Sequence, residues 1–164
     1  MNLFTQDYLK SILHYDPATG FFTWVGARYP SRNGTRAGTV ARCGGIDIRI
    51  NNEGYKANRL AWLYMTGAWP ENLIDHRNNK RADNRFDNLR PATRIQNNWN
   101  ARLPRTNTSG FKGVSFHPAT GKWVARVPDG TSRLYLGLFE SPELADAACR
   151  SKREAIQGEF ANHG

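Results

Sequence analysis

The 164-residue sequence contains little cysteine, and this limits the metal sites and cross-links open to it. Its two cysteines, Cys43 and Cys149, lie far apart, and no C-x-x-C pair is present. Because a thiolate zinc site needs several Cys or His ligands at short spacing, a four-thiolate zinc centre is excluded. We expect both thiols to be reduced, as in a cytosolic protein, with a disulfide between them as the alternative.

Long apolar runs are also missing. No stretch approaches the roughly 18 apolar residues that would cross a bilayer as a helix. The opening residues, MNLFTQDYLKSILHYD, lack the basic region and the apolar region of a secretory signal peptide. We therefore expect a cytoplasmic protein with no membrane partner.

Acidic residues are few relative to basic ones. The 14 Asp and Glu are outnumbered by 23 Lys and Arg, which gives a formal net charge of +9 and a pI near 10.0. Residues 1–104 hold 15 basic and 8 acidic residues, whereas residues 105–164 hold 8 and 6. Such an excess favours a polyanionic partner, and with membranes disfavoured it indicates nucleic acid. Hydrophobic residues make up 39% of the chain, which is enough for a folded core.

The first 102 residues predict a mixed domain of helices and strands. Helical spacing of apolar residues alternates with short aromatic and β-branched runs, and the turn sequences YDPATG and NNEG separate them. Thr93 is a plausible N-cap of the last helix, with Pro91 near its start. The predicted elements are a helix at 5–14, a strand at 21–25, a loop over 26–45 with a short strand near 38–41, strands at 46–50 and 55–58, a helix at 59–67 and a helix at about 93–102.

The pattern changes after residue 110. Residues 111–140 contain three short β-rich runs separated by PATG and PDGTS, which predicts a three-stranded antiparallel sheet. The next helix is expected to begin with Ser141 as N-cap and Pro142 at its first position, and to end at Gly158. The apolar stripe expected to cover one face of the sheet consists of Leu144, Ala147, Ala148 and Ile156.

The segment IDHRNNKRADNRFDNLRPATRIQNNWN (residues 74–100) places a single Asp–His pair among many basic residues and asparagines. Hydrolysis of a phosphodiester needs a base that takes a proton from water and positive charge on the phosphate. His76 can be that base. Asp75 and the side-chain amide of Asn97 offer the oxygen ligands that Mg²⁺ prefers, and Mg²⁺ often takes only one or two protein ligands. In a strand, Asp75 and His76 point to opposite sides.

Neighbouring asparagines and cations complete this candidate site. Asn88 lies in the loop before the predicted helix, where hydrogen bonds from its side chain would fix His76. Asn98 and Asn100 are rival metal ligands, and Asn100 lies at i+3 from Asn97 on the same helix face. A non-catalytic interpretation stays open, in which the Asp–His pair lies at the surface and the asparagines form turns and caps. The cations expected to hold DNA phosphates are Arg77, Lys80, Arg81, Arg85 and Arg94.

The order of these residues resembles the HNH nuclease motif in its His-Asn-Asn form. Asn88 follows His76 by twelve residues, and Asn97 follows by nine more. The upstream stretches YDPATGFFTW and RLAWLYMTGAWPENLIDH are similar to those of phage and intron-encoded HNH endonucleases. The resemblance implies a ββα-metal fold at about residues 70–102. It also implies that Asp75 and Asn97 hold one divalent metal, Mg²⁺ or else Mn²⁺ and not zinc, with His76 as general base and Asn88 fixing the loop.

The resemblance covers roughly residues 8–102 and departs from the family pattern at one position. Many relatives have His-Arg-Leu-Ala-Trp where this chain has Asn58 followed by Arg-Leu-Ala-Trp. Any auxiliary role of that histidine does not carry over to this chain, although that histidine is not the base.

One face of the predicted C-terminal sheet is expected to bind DNA. Alternation along KWVARV puts Trp123, Ala125 and Val127 on the core face and the residues between them on the other face. Arginines on such a face can bond guanine edges or phosphates, although any antiparallel sheet with one solvated face shows a similar alternation. The polar face collects Ser115, His117, Lys122, Arg126, Arg133 and Tyr135, with Lys112 at its edge.

The same segment resembles an AP2 domain, a module that is also appended to phage HNH nucleases. The similar stretches are NTSGFKGVSFHPATGKWVARV and RLYLGLFESPELADAA. The resemblance implies a three-stranded sheet that lies in the major groove of DNA, with one helix packed behind it.

Together these patterns predict an α+β protein with an HNH nuclease domain at 1–102, a linker at 103–110 and an AP2-like DNA-binding domain at 111–160. We expect a metal-dependent endonuclease of the homing type that hydrolyses a phosphodiester bond in double-stranded DNA. By the same resemblance it would be phage-encoded and act in the bacterial host cell. Since one metal site serves one strand, a monomer would nick, and a double-strand cut would need a weak dimer on DNA or two binding events.

Two other functions remain open. The first is a sequence-specific DNA-binding protein that keeps the HNH fold without catalysis. The second is an RNA-binding or structural nucleic-acid protein, against which the small number of exposed aromatic residues on the sheet face argues.

Overall fold

Helices and short antiparallel strands alternate along the chain, which confirms the α+β class predicted from the sequence. The structure, a computed structural model, describes residues 4–26 and 30–164. Internal contacts divide the chain into a first unit, Met1–Ala92, and a second unit, Thr93–Gly164. The predicted linker at 103–110 lies within the second unit, and residues 27–29 of the predicted loop lie outside the described residues. Within the described part of the chain, no helix is both long enough and apolar enough to cross a membrane.

The first unit begins with a short helix and a sheet. The helix α1 (Gln6–Ile12) begins after Thr5, whose side chain accepts a hydrogen bond from the backbone N–H of Tyr8. The predicted helix ran on to residue 14, which is wrong, because the chain from Leu13 onward pairs with the strand after the turn. The sheet contains, in order, β1 (Leu13–Asp16), β2 (Phe21–Trp24) and β3 (Arg36–Ala37).

A second antiparallel sheet follows, and it leads directly into a helix. Its strands, in order, are β4 (Thr39–Val40), β5 (Ile46–Ile50) and β6 (Glu53–Lys56). Asn51 and Asn52 both have positive φ, as a tight hairpin turn requires. The helix α2 (Ala57–Thr66) starts two residues earlier than predicted and ends at Gly67 in the left-handed conformation. Residues 57–58, which were predicted to continue the strand, are therefore helical.

The first unit ends in an antiparallel ribbon of β7 (Leu73–His76) and β8 (Leu89–Ala92). The sequence pattern did not predict β8, and Pro91 was expected near a helix start. Pro91 instead lies within β8, opposite Ile74. Proline is tolerated there because an edge strand can leave one side of its backbone unpaired.

The core of the first unit forms where α1 and α2 pack against the strands. Aromatic side chains contribute strongly, and Tyr15 and Phe22 have ring centroids 4.7 Å apart. The buried side chains include Leu9, Ile12, Leu13, Tyr15, Phe22, Trp24, Ile48, Ile50, Leu60, Leu63, Ile74 and Leu89.

The second unit begins with the helix α3 (Arg94–Trp99), which is shorter than predicted. Thr93 is its N-cap, as expected, and a capping box joins Thr93 and Gln96. The remaining elements are β9 (Val114–His117), β10 (Lys122–Pro128), β11 (Arg133–Phe139) and α4 (Pro142–Gln157). The three strands form an antiparallel sheet, as predicted, in the order β11-β10-β9.

The buried face of α4 differs from the predicted stripe of Leu144, Ala147, Ala148 and Ile156. Leu144 is 56% exposed, and the buried residues are instead small or polar. Cys149 Sγ lies 3.3 Å from the position that a Cβ on Gly113 would occupy, so the helix approaches Gly113 closely and a small side chain is needed at position 149. Ala125 and Val127 on the facing strand are buried, as predicted. The buried residues of α4 are Ala145, Asp146, Cys149, Arg153 and Gln157.

Gly20 sits in the turn between β1 and β2 and touches the backbone of a distant loop. Its φ is +75°, and a Cβ built on it would lie 2.4 Å from Arg85 N and 2.5 Å from Asn84 C. Gly34 has almost the same φ, +76°, but open space around it. The two glycines therefore share the conformational constraint and differ in the steric one.

We predict that Gly20→Ala lowers the free energy of unfolding well beyond Gly34→Ala. Both changes force alanine into a left-handed conformation, which costs about 1–2 kcal/mol. Gly20→Ala adds a clash with backbone atoms, which overpacking data put at about 1–3 kcal/mol more. Urea unfolding of the two variants measures the difference, and equal losses would contradict the close contact.

Candidate active site

Asp75 and His76 occupy the last two positions of β7 and are both buried. Asp75 is 5% exposed and His76 is 9% exposed. Across the ribbon, Asp75 lies opposite Arg90 and His76 opposite Leu89. Because neighbouring side chains of a strand point to opposite faces, the two groups serve two different sides of the ribbon.

The Asp75 carboxylate forms a buried ion pair with Arg90. Arg90 Nε donates to Asp75 Oδ2 at 2.9 Å, and Arg90 Nη2 lies 2.9 Å from the same oxygen. The two side chains are 6% and 4% exposed. An ionised carboxylate in such a place needs a partner, because burying an isolated charge is costly. The Arg90 guanidinium meets this need at the residue that directly precedes His76.

His76 is held by Asn84, a residue that the sequence analysis did not single out. His76 Nε2 donates to Asn84 Oδ1 at 3.0 Å. The Asn84 amide has this orientation because its Nδ2 faces the carbonyl oxygen of Ala82 at 3.5 Å. In this tautomer the lone pair lies on Nδ1, so Nδ1 is the nitrogen that can take a proton.

Asn84 is in turn held by residues from the start of the chain. Tyr15 Oη donates to the carbonyl oxygen of Asn84 at 2.6 Å. Burial, followed by the negative charge of Asp16, raises the pKa of Tyr15 far above its usual range, so the phenol stays a donor. The Phe86 N–H also bonds the carbonyl oxygen of Pro17 at 3.1 Å. The β1–β2 turn therefore supports the loop that orients His76.

Asn88 closes the loop between β7 and β8. Its Oδ1 accepts from the backbone N–H of Asn78 at 3.0 Å. Its Nδ2 donates to Asn78 Oδ1 at 3.0 Å and to the carbonyl oxygen of Asp83 at 2.7 Å. The Arg77 N–H adds a bond to the Asn88 carbonyl oxygen at 2.9 Å. These contacts fix the segment that directly follows His76.

The loop carries exposed cations. Arg77, Lys80 and Arg81 are exposed on it. Arg85 is engaged differently, because its guanidinium binds Asp83 through two contacts of 2.8 Å. The hydrogen bonds from Arg85 hold the pKa of Asp83 well below its usual range. The other three cations predicted on this loop take no part in the Asp83 pair, and Arg81 Nη1 donates instead to the carbonyl oxygen of Cys43 at 3.2 Å.

The asparagines proposed as metal ligands lie on or next to α3, in the second unit. Asn97 is partly buried and Asn98 is exposed. Asn100 is 3% exposed and caps the end of the helix, where its Oδ1 accepts from Asn162 Nδ2 at 3.3 Å. Arg94, which was predicted to bind DNA, is exposed in the first turn.

The register of the C-terminal sheet groups the residues predicted for its polar face. Residues paired across an antiparallel sheet lie on the same face. The pairing of β10 with β11 shifts its register between Ala125 and Arg126. Val124 lies on the same face as the polar residues but is buried. The pairs on this face are Lys122 with His117, Val124 with Ser115, Arg126 with Tyr135 and Pro128 with Arg133.

The polar groups of this face differ in their surroundings. The Arg126 guanidinium lies 6.0 Å from the centre of the exposed Tyr135 ring. Lys122 pairs with Glu140 at 2.6 Å, and His117 Nδ1 lies 3.0 Å from Thr120 Oγ1.

Lys112 is directed to the end of α3. Its Nζ donates to the carbonyl oxygens of Trp99 at 2.7 Å and Ala101 at 2.6 Å. Burial, with the charge of Arg153 as a smaller cause, lowers the pKa of Lys112 to about 8. A cation at the carboxyl end of a helix is favourable because it satisfies unpaired carbonyl groups.

Comparison with known proteins places this geometry in a family. Residues 55–99 match the family model of the HNH endonucleases. The chain is 33% identical to Protein 3.8 of Escherichia phage T7 over 114 residues, which cover 65% of this chain and 91% of that protein. The chain belongs to the family of this phage protein, and residues 55–99 are its HNH endonuclease domain.

Another relative matches a shorter stretch. The ethylene-responsive transcription factor RAP2-11 of Arabidopsis thaliana is 41% identical over 64 residues, which cover 35% of this chain and 25% of that protein. This chain therefore spans only a quarter of that factor's length. No solved structure gives a significant match.

Asn58, where many HNH relatives have histidine, has a structural contact in this HNH domain. Its Nδ2 donates to the carbonyl oxygen of Ile74 at 2.8 Å, and its Oδ1 accepts from the Arg59 N–H at 3.0 Å. The side chain therefore ties the start of α2 to the strand residue that precedes Asp75. An imidazole N–H could make the same bond to the strand, so the substitution keeps a donor at this place.

The HNH family generally uses a divalent metal, and the donor chemistry of this domain suits a hard cation. Among residues 4–26 and 30–164, no three or more His, Cys, Asp and Glu side chains gather into a metal cage. A single carboxylate with amide oxygens fits Mg²⁺, which takes few protein ligands and completes its shell with water and phosphate. A metal at Asp75 would share the carboxylate with Arg90.

We predict that Arg90→Met lowers the free energy of unfolding by about 3–5 kcal/mol, because the buried Asp75 carboxylate then loses the Arg90 guanidinium. The double variant Asp75→Asn with Arg90→Met should recover part of the loss. Arg85→Met is the matched control, since its pair with Asp83 is half exposed and worth about 1 kcal/mol or less. Chemical unfolding measures all three, and equal losses for Arg90→Met and Arg85→Met would contradict a structural role of the buried pair.

Proposed function

We propose that this protein is a metal-dependent endonuclease that hydrolyses a phosphodiester bond in duplex DNA, with His76 as the general base. The observation that carries the proposal is the buried Asp75–His76 pair, in which Asn84 fixes the histidine ring. The family match of residues 55–99 supports the reaction class.

The proton transfer follows from the tautomer of His76. With its proton on Nε2 and bonded to Asn84, the ring presents Nδ1 as the acceptor. Nδ1 takes a proton from water, the water oxygen attacks phosphorus, and the bond from phosphorus to the leaving oxygen breaks. Asn84 and Asn88 act as positioning residues, because one holds the ring and the other holds the loop that follows it.

Asp75 and Asn97 would hold a single Mg²⁺, or Mn²⁺ in its place. When bound, this metal supplies positive charge to the scissile phosphate and the leaving oxygen. Arg90 keeps the Asp75 side chain in one orientation through its two contacts of 2.9 Å. Arg77, Lys80 and Arg81 would bind neighbouring phosphates.

The C-terminal sheet would position the chain on duplex DNA in the manner of an AP2 domain. Arg126 and Arg133 lie on one exposed face, where they can bond guanine edges or phosphates. The partial similarity to a plant transcription factor supports this assignment. In functional terms we propose a nuclease part at 1–102, a linker at 103–110 and a DNA-binding part at 111–160.

The mode of cleavage follows from the number of catalytic groups. One general base and one metal site serve one strand, so a monomer would nick the duplex. Cleavage of both strands would need a weak dimer on DNA or two successive binding events. We further propose a homing type of action, with a long recognition site on phage or host DNA in the bacterial cell.

We predict that His76→Ala abolishes cleavage of supercoiled plasmid carrying phage or host DNA while leaving DNA binding intact. Removal of the base should lower the rate by about 10²–10⁴-fold, and EDTA should abolish activity in the wild type. Asn84→Ala should give an intermediate loss, because the ring is then no longer oriented. Gel electrophoresis follows conversion to open circles.

His14→Ala is the matched control, since His14 is an exposed histidine of the same unit. It should cleave like the wild type. Retained cleavage in His76→Ala would refute the assignment of the base. Binding without any cleavage by the wild type, on DNA that contains the bound site, would identify a non-catalytic DNA-binding protein.

We predict that Arg126→Gln weakens binding to the recognised duplex by about 1–3 kcal/mol if Arg126 bonds a base. Lys152→Gln is the control, because Lys152 is an exposed cation on α4, behind the sheet. Fluorescence anisotropy with EDTA present gives both affinities. Equal affinities for the two variants would argue that the sheet face does not contact DNA.

A further inference from the structure

The first unit has a concave surface that lies outside the HNH domain. We call it the arginine groove, because Arg32, Arg36 and Arg49 line it. Its volume is about 670 Å³. The remaining lining residues are Trp24, Thr35, Gly38, Thr39, Asp47, Ile48 and Gly54.

The groove exists because the chain crosses closely from one sheet to the next. Gly38 joins β3 to β4 with a φ of +102°. A Cβ at this position would lie 2.6 Å from Ile46 Cγ2 and 3.0 Å from Ile48 Cγ1. Glycine therefore lets the connection lie against β5, which brings Arg36 of β3 and Arg49 of β5 to the same concave surface.

Aromatic rings support two of the three arginines. The Arg36 guanidinium lies 3.4 Å from the centre of the Phe21 ring, and that of Arg32 lies 5.5 Å from the Trp24 ring. Because the Arg36 guanidinium is stacked on the Phe21 ring, the N–H groups along its edge can still bond an oxyanion. The stacking also reduces the conformational freedom that binding would otherwise remove.

Arg49 is the third cation of the groove, and it is exposed. Its partner across the hairpin is Gly54, which has no side chain to cover it. In the described part of the chain, no hydrogen bond or ion pair engages its guanidinium.

The one carboxylate in the lining is already neutralised. Asp47 Oδ1 lies 2.8 Å from Lys56 Nζ, and Lys56 also donates to Asp47 Oδ2 at 3.0 Å. The hydrogen bond that Lys56 donates to the Asp47 carboxylate raises the pKa of Lys56, which keeps it charged at neutral pH. The three arginines therefore give the groove a net positive charge.

We propose that the arginine groove binds the phosphate backbone of duplex DNA, as a contact separate from that of the HNH loop. This proposal rests on the proposed nuclease function and adds a binding surface to it. The groove is larger than one phosphate needs, and Arg36 and Arg49 reach it from two different sheets, so they can contact separate phosphates. Contacts of this kind add affinity and register without reading sequence.

The test compares Arg36→Gln, Arg49→Gln and the double variant with Lys10→Gln. Lys10 is an exposed cation of the same unit outside the groove, so its loss changes the net charge equally. Affinity for a long duplex is measured with EDTA at a series of KCl concentrations. Each phosphate contact contributes about 0.9 to the slope of log K against log salt.

We expect the magnitude of this slope to decrease by about one for each single arginine variant and by about two for the double variant. The decrease should be the same on specific and unrelated duplexes. Hydroxyl-radical footprints should lose protection on one flank only. Arg36→Lys and Arg49→Lys should restore the slope, since they keep the charge, and circular dichroism should match the wild type throughout.

Other outcomes would overturn the proposal in distinguishable ways. If the wild type binds duplex DNA and the double variant matches Lys10→Gln in slope and footprint, the groove inference fails and the nuclease proposal stands. If the wild type binds no duplex DNA, or prefers single-stranded RNA, the proposed function fails and the inference fails with it.

Discussion

The structure of the β7–β8 ribbon depends on the ion pair between Asp75 and Arg90. Both groups are almost fully buried, so neither charge can be solvated by water, and each depends on the other. Asp75 of β7 lies opposite Arg90 of β8, so the ion pair fixes the register of the two strands one residue before His76. The position of His76, the proposed general base, therefore depends on an electrostatic requirement of its neighbour Asp75.

Support for His76 reaches back to the beginning of the chain. The β1–β2 turn approaches the loop so closely that position 20 needs glycine, and Tyr15 bonds the carbonyl oxygen of Asn84. Asn84 then bonds the imidazole. Each link is a short contact between buried groups, so the ring orientation depends on packing some 60 residues away in sequence.

Sequence patterns predicted the elements whose signals are local. Thr93 and Ser141 precede helices as expected, because an N-cap depends on the next three residues alone. The aromatic strand β2 and the three strands of the C-terminal sheet were likewise predicted from composition and turn residues. The Asp–His pair itself was visible because it is the only such dipeptide in a basic segment.

Features that depend on distant contacts were missed. Strand β8 contains Pro91, which disfavours a strand, and the pairing of β8 with β7 outweighs this preference. Asn84 was indistinguishable among the asparagines of its segment, because only the approach of Tyr15 and His76 sets it apart. The buried face of α4 was placed on the wrong side because local hydrophobicity favours Leu144, whereas the close approach at Gly113 requires a small side chain such as Cys149.

The hydrogen bonds from Lys112 to the end of α3 bear on how such proteins can be recombined. From the sequence, the segment after residue 102 would be chosen as the place to exchange the C-terminal sheet and helix for another module. A junction there would separate the α3 carbonyl oxygens from the lysine that satisfies them, unless the incoming module supplied a cation at the same place. An exchange that keeps α3 with its own sheet, and joins the parts before Thr93, preserves this contact. The working boundary for building chimeras therefore lies at the capping box of α3, about ten residues ahead of the apparent linker.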